Sequence, residues 1–284
     1  MHEHAMEALS TRLRELSPLA VALSGGLDSR FLAHAARIAS CDIVLLHASG
    51  PHVSPRESER ATRWAAGQGL PLRVIFFDPL TLPAVAENTR ERCYFCKKML
   101  LETLCPHAVG YTLCDGTQAD DLLHPHRPGQ RVLKEAGLRS PLAEIGLGKA
   151  QICALAAFSG LAHATQPPRP CLLTRLAYGL RPDAGTLARL AAAEAALEDA
   201  GLSDFRLRLT PAPQLHVLAL PEDMQASVTR VLAAHGFAEA QTIRLESLSG
   251  FFDRDTFRQR TGHLDSRDIY KEVEYIFPGV HHEP

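Results

Sequence analysis

Two thiols three residues apart, in Cys93-Tyr94-Phe95-Cys96, and a third far downstream, Cys171 beside a proline-rich bend, are the side chains of this sequence best suited to hold iron and sulfur. If the first stretch is helical, Cys93 and Cys96 share one face. Two close ligands and one remote one can bind three irons of a [4Fe-4S] cluster and leave the fourth iron open to an exogenous sulfide. The same CxxC also suits a redox pair, part of a zinc site or plain packing, although zinc usually asks for a fourth protein ligand. Arg90, Arg92, Lys97 and Lys98 surround the pair. Such cationic density suits lowered thiol pKa values, an anionic cluster or a substrate phosphate, and the lysines equally suit a solvated face. Cys41, Cys105, Cys114 and Cys153 sit in or beside apolar sequence and read as buried structural thiols.

A second chemical signature is Ser24-Gly25-Gly26-Leu27-Asp28-Ser29. It lies between a run that reads as a strand and a run that reads as a helix. Backbone N–H groups in such a turn, with the helix N-terminus, form a concave donor set for phosphate oxygens. Two glycines let the backbone approach the anion without a Cβ in the way. The string lacks the Gly-Lys-Ser/Thr ending of a Walker loop, which argues against simple γ-phosphoryl transfer. The plainer alternative is a glycine turn with Asp28 or Ser29 capping the helix. Downstream, Asp115-Gly116-Thr117-Gln118-Ala119-Asp120-Asp121 puts carboxylates on a flexible turn, which taken alone also reads as a solvated loop.

The elements that must position these residues follow from hydrophobic pattern. A helix is expected over Met6 to Leu16, a strand buried on both faces over Leu19 to Leu23, and a helix from about Asp28 to Ser40. Apolar runs recur at Ile43 to His47, Val74 to Phe77 and Tyr111 to Cys114, separated by helix-compatible sequence. That is the pattern of an α/β fold, a parallel sheet with helices on both faces, whose ligand site lies at the carboxyl ends of the strands. Texture changes at Gly179-Leu180-Arg181-Pro182, so two units are expected, 1–180 and 181–284, the second a smaller α+β domain. Its elements are a helix over Thr186 to Ala200, strands at Phe205 to Leu209 and Leu215 to Leu220, a helix from Glu222 to Ala234 and a strand near Thr242 to Leu245.

At 284 residues and 46% hydrophobic content the chain can bury a full core without disulfides. Seven cysteines, an odd number in so large a chain, point to reduced thiols and a cytoplasmic setting. The N-terminus has no apolar leader pattern, and no stretch approaches the roughly 20 apolar residues of a membrane span. Lys plus Arg (30) nearly balance Asp plus Glu (32), which argues against a nucleic-acid or membrane partner. Of the 14 histidines, His124, His126 and the His281-His282 pair lack the spacing of a metal motif and read as surface residues.

SGGLDS resembles the PP-loop of the N-type ATP pyrophosphatases. The order of motifs that follows, Asp115 to Asp121, Ser140-Pro141-Leu142-Ala143-Glu144, Gly146-Leu147-Gly148-Lys149 and Pro170-Cys171-Leu172-Leu173-Thr174-Arg175, resembles that of the LarE-type sulfur transferases over roughly residues 15 to 180. The resemblance implies an adenine nucleotide alpha hydrolase-like fold in which ATP is cleaved to AMP and pyrophosphate. Ser24, Gly25, Gly26, Asp28, Ser29, Asp115 and Gly116 would hold the nucleotide, and Asp28, the loop carboxylate nearest the phosphates, would serve Mg2+. It further implies adenylylation of a carboxylate on a small acidic nucleotide, pyridinium dicarboxylate mononucleotide, and replacement of AMP by sulfur in nickel-pincer nucleotide biosynthesis.

One branch of these enzymes resembles the present arrangement, with Cys93, Cys96 and Cys171 holding a cluster. Another keeps only the later cysteine and sacrifices its sulfur. Three cysteines favour the cluster branch, with sulfide or a cysteine-derived sulfur as donor. Arg175 matches the arginine after the PCL segment, which implies contact with phosphate or the adenylylated carboxylate. Glu194 aligns with an acidic position that binds an ion in relatives, but a surface carboxylate is the simpler reading. A homo-oligomer is expected by analogy. tRNA thiolation and amide formation share the activation step; near-neutral charge weighs against the first and the cysteine set against the second. Arg30 departs from the small hydroxyl residue common after the loop, and Thr210-Pro211-Ala212-Pro213 and Ser249-Gly250-Phe251-Phe252-Asp253 depart in the second half.

Overall fold

A computed structural model describes residues 2–123, 132 and 137–253; His124, His126, His281 and His282 lie outside them. Four parallel strands, β1 (Leu19–Ala22), β2 (Ile43–Ser49), β3 (Leu72–Phe76) and β4 (Thr112–Cys114), stand in the order β3-β2-β1-β4. The central pair is in register from Leu19↔Ile43 to Ala22↔Leu46. Because side chains alternate along a strand, Leu19, Val21, Ile43 and Leu45 face one way and Ala20, Val44 and Leu46 the other. The first set packs with α1 (His2–Leu16) and α2 (Leu27–Ile38) through Leu9, Leu13 and Phe31. The second set packs with Leu104, the last residue of α4 (Arg92–Leu104), and with Ala108. Both faces are therefore covered, and the chain has an α/β fold. Two further helices complete the coat: α3 (Pro55–Gly67) places Ala61 and Ala65, and α5 (Lys149–Phe158) places Ile152 and Leu155, in the same core as Leu19 and Val21.

A second sheet, order β5-β6-β7, is built from β5 (Phe205–Arg208), β6 (Gln214–Val217) and β7 (Gln241–Arg244). β5 and β6 are antiparallel, whereas β6 and β7 are parallel and joined by α7 (Gln225–Ala234). The helix before them, α6 (Ala184–Asp199), begins with Asp183 accepting from Thr186 N, so a cap sets its start. Leu187, Leu190 and Leu197 of α6 pack with Phe205, Leu207 and Leu215 of the sheet. Leu172, Leu173 and Leu176, the residues just after Cys171, pack into this same core. Burying each leucine contributes on the order of 1.5–3 kcal/mol, so the PCL segment is anchored to the second core although it precedes residue 180. Among the described residues no helix is long and apolar enough to cross a membrane.

Candidate functional site

The glycine loop leaves the carboxyl end of β1 and enters α2. Gly25 has φ +84°, a left-handed conformation that glycine adopts without strain, and a Cβ there would meet Ala61 of α3 at 3.4 Å. Gly26 is the N-cap of α2 and supplies no side-chain cap, so neither Asp28 nor Ser29 plays the capping role expected of a plain turn. The Ser29 hydroxyl instead donates to Gly26 O at 3.1 Å and lies 3.1 Å from the Ser24 hydroxyl, stitching the loop across its base. Asp28 is paired with Lys149 at the start of α5, Nζ to Oδ1 at 2.7 Å.

The turn after β4 is pressed onto this loop. A Cβ at Gly116 would stand 2.7 Å from Ser29 N and 2.9 Å from Asp28 C, both backbone atoms, so only glycine fits. Asp115 accepts from Thr117 Oγ1 at 2.6 Å and Ser140 Oγ at 2.7 Å, and lies 3.5 Å from Lys97 Nζ. It is thus a held carboxylate rather than part of a solvated loop, and Lys97 is tied to it rather than free in solvent. Asp120 accepts from Lys149 N at 2.7 Å.

Cys93 and Cys96 stand on the first turns of α4, and Cys171 precedes the helical turn Leu172–Arg175, where its carbonyl accepts from Thr174 Oγ1 at 2.7 Å. All three line one open cavity of about 1580 Å³ together with Ser24, Gly26 and Asp28. Burial raises the Cys93 and Cys96 thiols, and a charge on Cys171 raises both further. Cys93 is open to the cavity, yet the protein packed around its sulfur is enough for this desolvation. The Cys93 and Cys96 thiols are consequently neutral near pH 7, and a metal binding to them must displace protons. Among the described residues no group of three or more His, Cys, Asp or Glu side chains converges as a ready site for one metal ion.

The cavity wall beyond Cys171 is dense in paired charge. Arg175 is buried and gives Glu194 two bonds, Nε to Oε1 at 2.8 Å and Nη2 to Oε2 at 3.0 Å; its Nη1 donates to Pro170 O at 3.3 Å. Glu194 also accepts from Leu207 N at 2.9 Å. The expectation of a surface carboxylate at Glu194 is therefore wrong: α6 turns it inward to neutralise an arginine and to satisfy a strand N–H. Arg169 bridges Glu57 on α3 at 2.8 Å and Glu198 on α6 at 2.5 Å. Arg206, half-buried on β5, donates only to the carbonyls of Phe205 and Pro168 among the described residues. Desolvation lowers its pKa to about 10, with Arg175 adding to the effect.

The structure thus gathers the expected residues of the loop, the Asp115 turn, the CxxC, Cys171 and Arg175 around one cleft. Cys114 is buried, its thiol pushed up to about 12 chiefly by burial, and Cys41 and Cys153 pack at the margin of the first core. Cys105 is exposed, contrary to its apolar neighbourhood in sequence; it caps the end of α4 and opens the short helical turn Cys105–Ala108. Arg30 is buried and donates to Ala162 O, His163 O and Gln166 Oε1, so it fastens the loop after α5 rather than facing the cleft. Arg169 and Arg206 escaped the sequence reading. The one signal for Arg206 was the alternation Phe205-Arg206-Leu207-Arg208, in which a strand sends cations to the face opposite its apolar residues.

A glycine loop at the carboxyl edge of a parallel sheet, opening into a cleft that also holds three thiols, defines an α/β protein with a PP-loop-like domain. No family model matches the chain. It is 34% identical over 212 residues, 73% of this chain and 79% of the relative, to the uncharacterized protein slr1717 of Synechocystis sp.. It is 33% identical over 161 residues to the uncharacterized protein MJ0830 of Methanocaldococcus jannaschii, covering 56% and 60% of the two chains. Over 205 residues, 70% of this chain and 74% of the relative, it is 27% identical to pyridinium-3,5-bisthiocarboxylic acid mononucleotide synthase of Lactiplantibacillus plantarum. The chain belongs to the LarE-like family.

Proposed function

We propose that this protein is an ATP-dependent sulfur transferase that activates a carboxylate of an acidic nucleotide and exchanges one carboxylate oxygen for sulfur. The observation that supports it most is the single cleft shared by the glycine loop and all three thiols. The activated carbon need not leave the protein between its two reactions. The acceptor class is carried over from the synthase of Lactiplantibacillus plantarum, whose name specifies a pyridinium bisthiocarboxylic acid mononucleotide.

In this reading a carboxylate oxygen of the acceptor attacks the α-phosphorus of ATP, the bond to the bridging oxygen breaks, and pyrophosphate leaves. The loop from Ser24 to Ser29 receives the phosphates, with Gly116 allowing the Asp115 turn to close against it. Asp28 serves the Mg2+ that accompanies ATP, and Lys149, which now pairs with it, adds positive charge where charge develops. Arg206, which among the described residues bonds only to carbonyls, is the cation we assign to the acceptor's phosphate. Arg175, already neutralised by Glu194, shapes the Cys171 segment. A sulfur nucleophile then attacks the acyl carbon, AMP leaves with the carboxyl oxygen, and a thiocarboxylate remains.

Three cysteine thiols, with no fourth donor beside them among the described residues, suit a [4Fe-4S] cluster, whose thiolates sit on separate irons and so spread wider than the ligands of one ion. Cys93, Cys96 and Cys171 would hold it, and when bound it supplies an open iron at which sulfide can be retained. The test is an anaerobic assay with ATP, Mg2+, sulfide and pyridinium dicarboxylate mononucleotide. Wild-type protein is expected to release pyrophosphate and form thiocarboxylate, whereas Cys171→Ala releases pyrophosphate without sulfur product. Absence of acceptor-dependent pyrophosphate release would sink the adenylylation step. Dehydroalanine at residue 171 after one turnover would replace the cluster by a sacrificial cysteine.

A further inference from the structure

Asn88 stands just upstream of Cys93, on the link that leads into α4, and is fully buried. Its backbone is left-handed, φ +53°, a conformation that asparagine tolerates better than most residues. Its side-chain Nδ2 donates to Ala177 O at 2.7 Å and to Leu180 O at 2.9 Å, and its main-chain oxygen accepts from Gly179 N at 3.1 Å. Its Oδ1 accepts from Nη1 of Arg92, the residue adjoining Cys93. The Arg92 guanidinium, itself buried, lies 4.4 Å from the centre of the Tyr178 ring, and that of Arg90 lies 5.1 Å from the same ring.

One buried amide therefore joins the start of the CxxC helix to the turn at 177–180 that closes the Cys171 segment. Cys96 and Cys171 also both touch the second core from its margin, where side-chain packing holds them. Packing of that kind is tolerant of small shifts, whereas an amide with both ends engaged fixes distance and direction.

We propose that Asn88 is a positioning residue that sets the separation of Cys93 and Cys96 from Cys171, acting through Arg92 on one side and the 177–180 turn on the other. The proposal rests on reading the three thiols as one donor set. A group that orients metal ligands without touching the metal typically changes affinity 10- to 100-fold when removed.

Asn88→Gly tests it in the full chain, because glycine keeps the left-handed backbone without strain and only the amide is lost. The first readout uses dibromobimane, which bridges neighbouring thiols, with the Cys96–Cys171 bridge mapped by mass spectrometry. Bridging is expected to fall several-fold in Asn88→Gly while single-site alkylation of each thiol is unchanged. The second readout is Cd2+ affinity of the metal-free protein, followed by thiolate absorbance. It is expected to fall about 10- to 100-fold in Asn88→Gly, and the difference is expected to vanish in a Cys171→Ser background, where there is no remote thiol left to position.

Undiminished bridging in folded Asn88→Gly overturns the proposal, as does an equal loss of Cd2+ affinity with and without Cys171. If Cys171→Ser leaves the Cd2+ affinity of the otherwise wild-type protein unchanged, the three-thiol donor set fails; the bridging yield still decides whether Asn88 sets the separation. Should Asn88→Gly not fold, Arg92→Lys breaks the same link and leaves both carbonyl bonds of the amide in place. Reduced bridging there supports the proposal and unchanged bridging overturns it.

Discussion

The two ends of the cleft are made in different ways. At the nucleotide-loop end the backbone itself is the instrument: Gly25 turns left-handed, Gly116 approaches Ser29 N too closely for any side chain, and the Ser24 and Ser29 hydroxyls brace the loop. At the thiol end contacts between distant segments create the site. Cys93 and Cys96 come from a helix whose far end packs on the parallel sheet, Cys171 from a segment packed in the second core, and buried charged or polar pairs hold them in register. A site made of backbone resists side-chain substitution but not the addition of a Cβ. A site made of long-range polar contacts is sensitive to the loss of either partner.

That contrast sets the expected order of mutational effects. Glu194→Ala leaves the Arg175 guanidinium buried without its carboxylate and Leu207 N without an acceptor. It is expected to lower unfolding free energy by about 3–5 kcal/mol in urea denaturation, with the Cys171 segment the first to gain hydrogen exchange. A cost under about 1 kcal/mol, the range of an exposed pair, would mean that the thiol end does not depend on this contact.

Gly116→Ala addresses the other end. Its new methyl group meets backbone at 2.7 Å, so a cost of about 1–3 kcal/mol is expected. Acceptor-dependent pyrophosphate release should fall while the alkylation rate of Cys171 stays at the wild-type value. Equal impairment of both measurements would show that the two ends are one mechanical unit.

A further effect concerns acid. His52, whose carbonyl accepts from Leu172 N at 2.8 Å, is held to a pKa of about 4 by burial, and His216 in the second core is likewise held to about 4 by burial with Arg208 adding to it. Their ordinary value is 6.5. Between these limits the unfolded chain binds protons that the folded one refuses, so stability is complete above pH 6.5 and declines as pH falls toward 4. Urea midpoints measured through this range should decline, and His52→Gln should make the decline shallower. A pH-independent midpoint would place these imidazoles in contact with water.

Much of the parallel sheet and its helices could be read from short stretches. The run Leu19-Ala20-Val21-Ala22-Leu23 is apolar at every position because both of its faces are covered, and β1 occupies Leu19–Ala22. β3 was harder, since Val74 and Phe76 look like core residues and yet are exposed: the strand lies at the edge of the sheet, where one face lacks a full cover. Its first residues, Leu72 and Arg73, are strand because β2 pairs with them, which no local pattern announces. Within the site the cysteines and SGGLDS were legible by type and spacing. Asn88, Arg169 and Arg206 were not, and Glu194 stood out without its buried surroundings, because a lone polar residue looks the same in sequence whether it meets solvent or a buried partner.

Chemistry confined to one turn or one helix face was settled by the order of residues alone: a strand, a glycine loop and a helix that follow one another, and two thiols three residues apart. Folding decided what no local stretch could, namely that Cys171 faces the same cleft as Cys93 and Cys96, that Arg175 meets Glu194 instead of open solvent, and that Lys149 finds Asp28. The physical reason is that backbone conformation answers to neighbours along the chain, whereas the partner of a buried charge or amide is fixed only when distant segments pack and water is excluded between them.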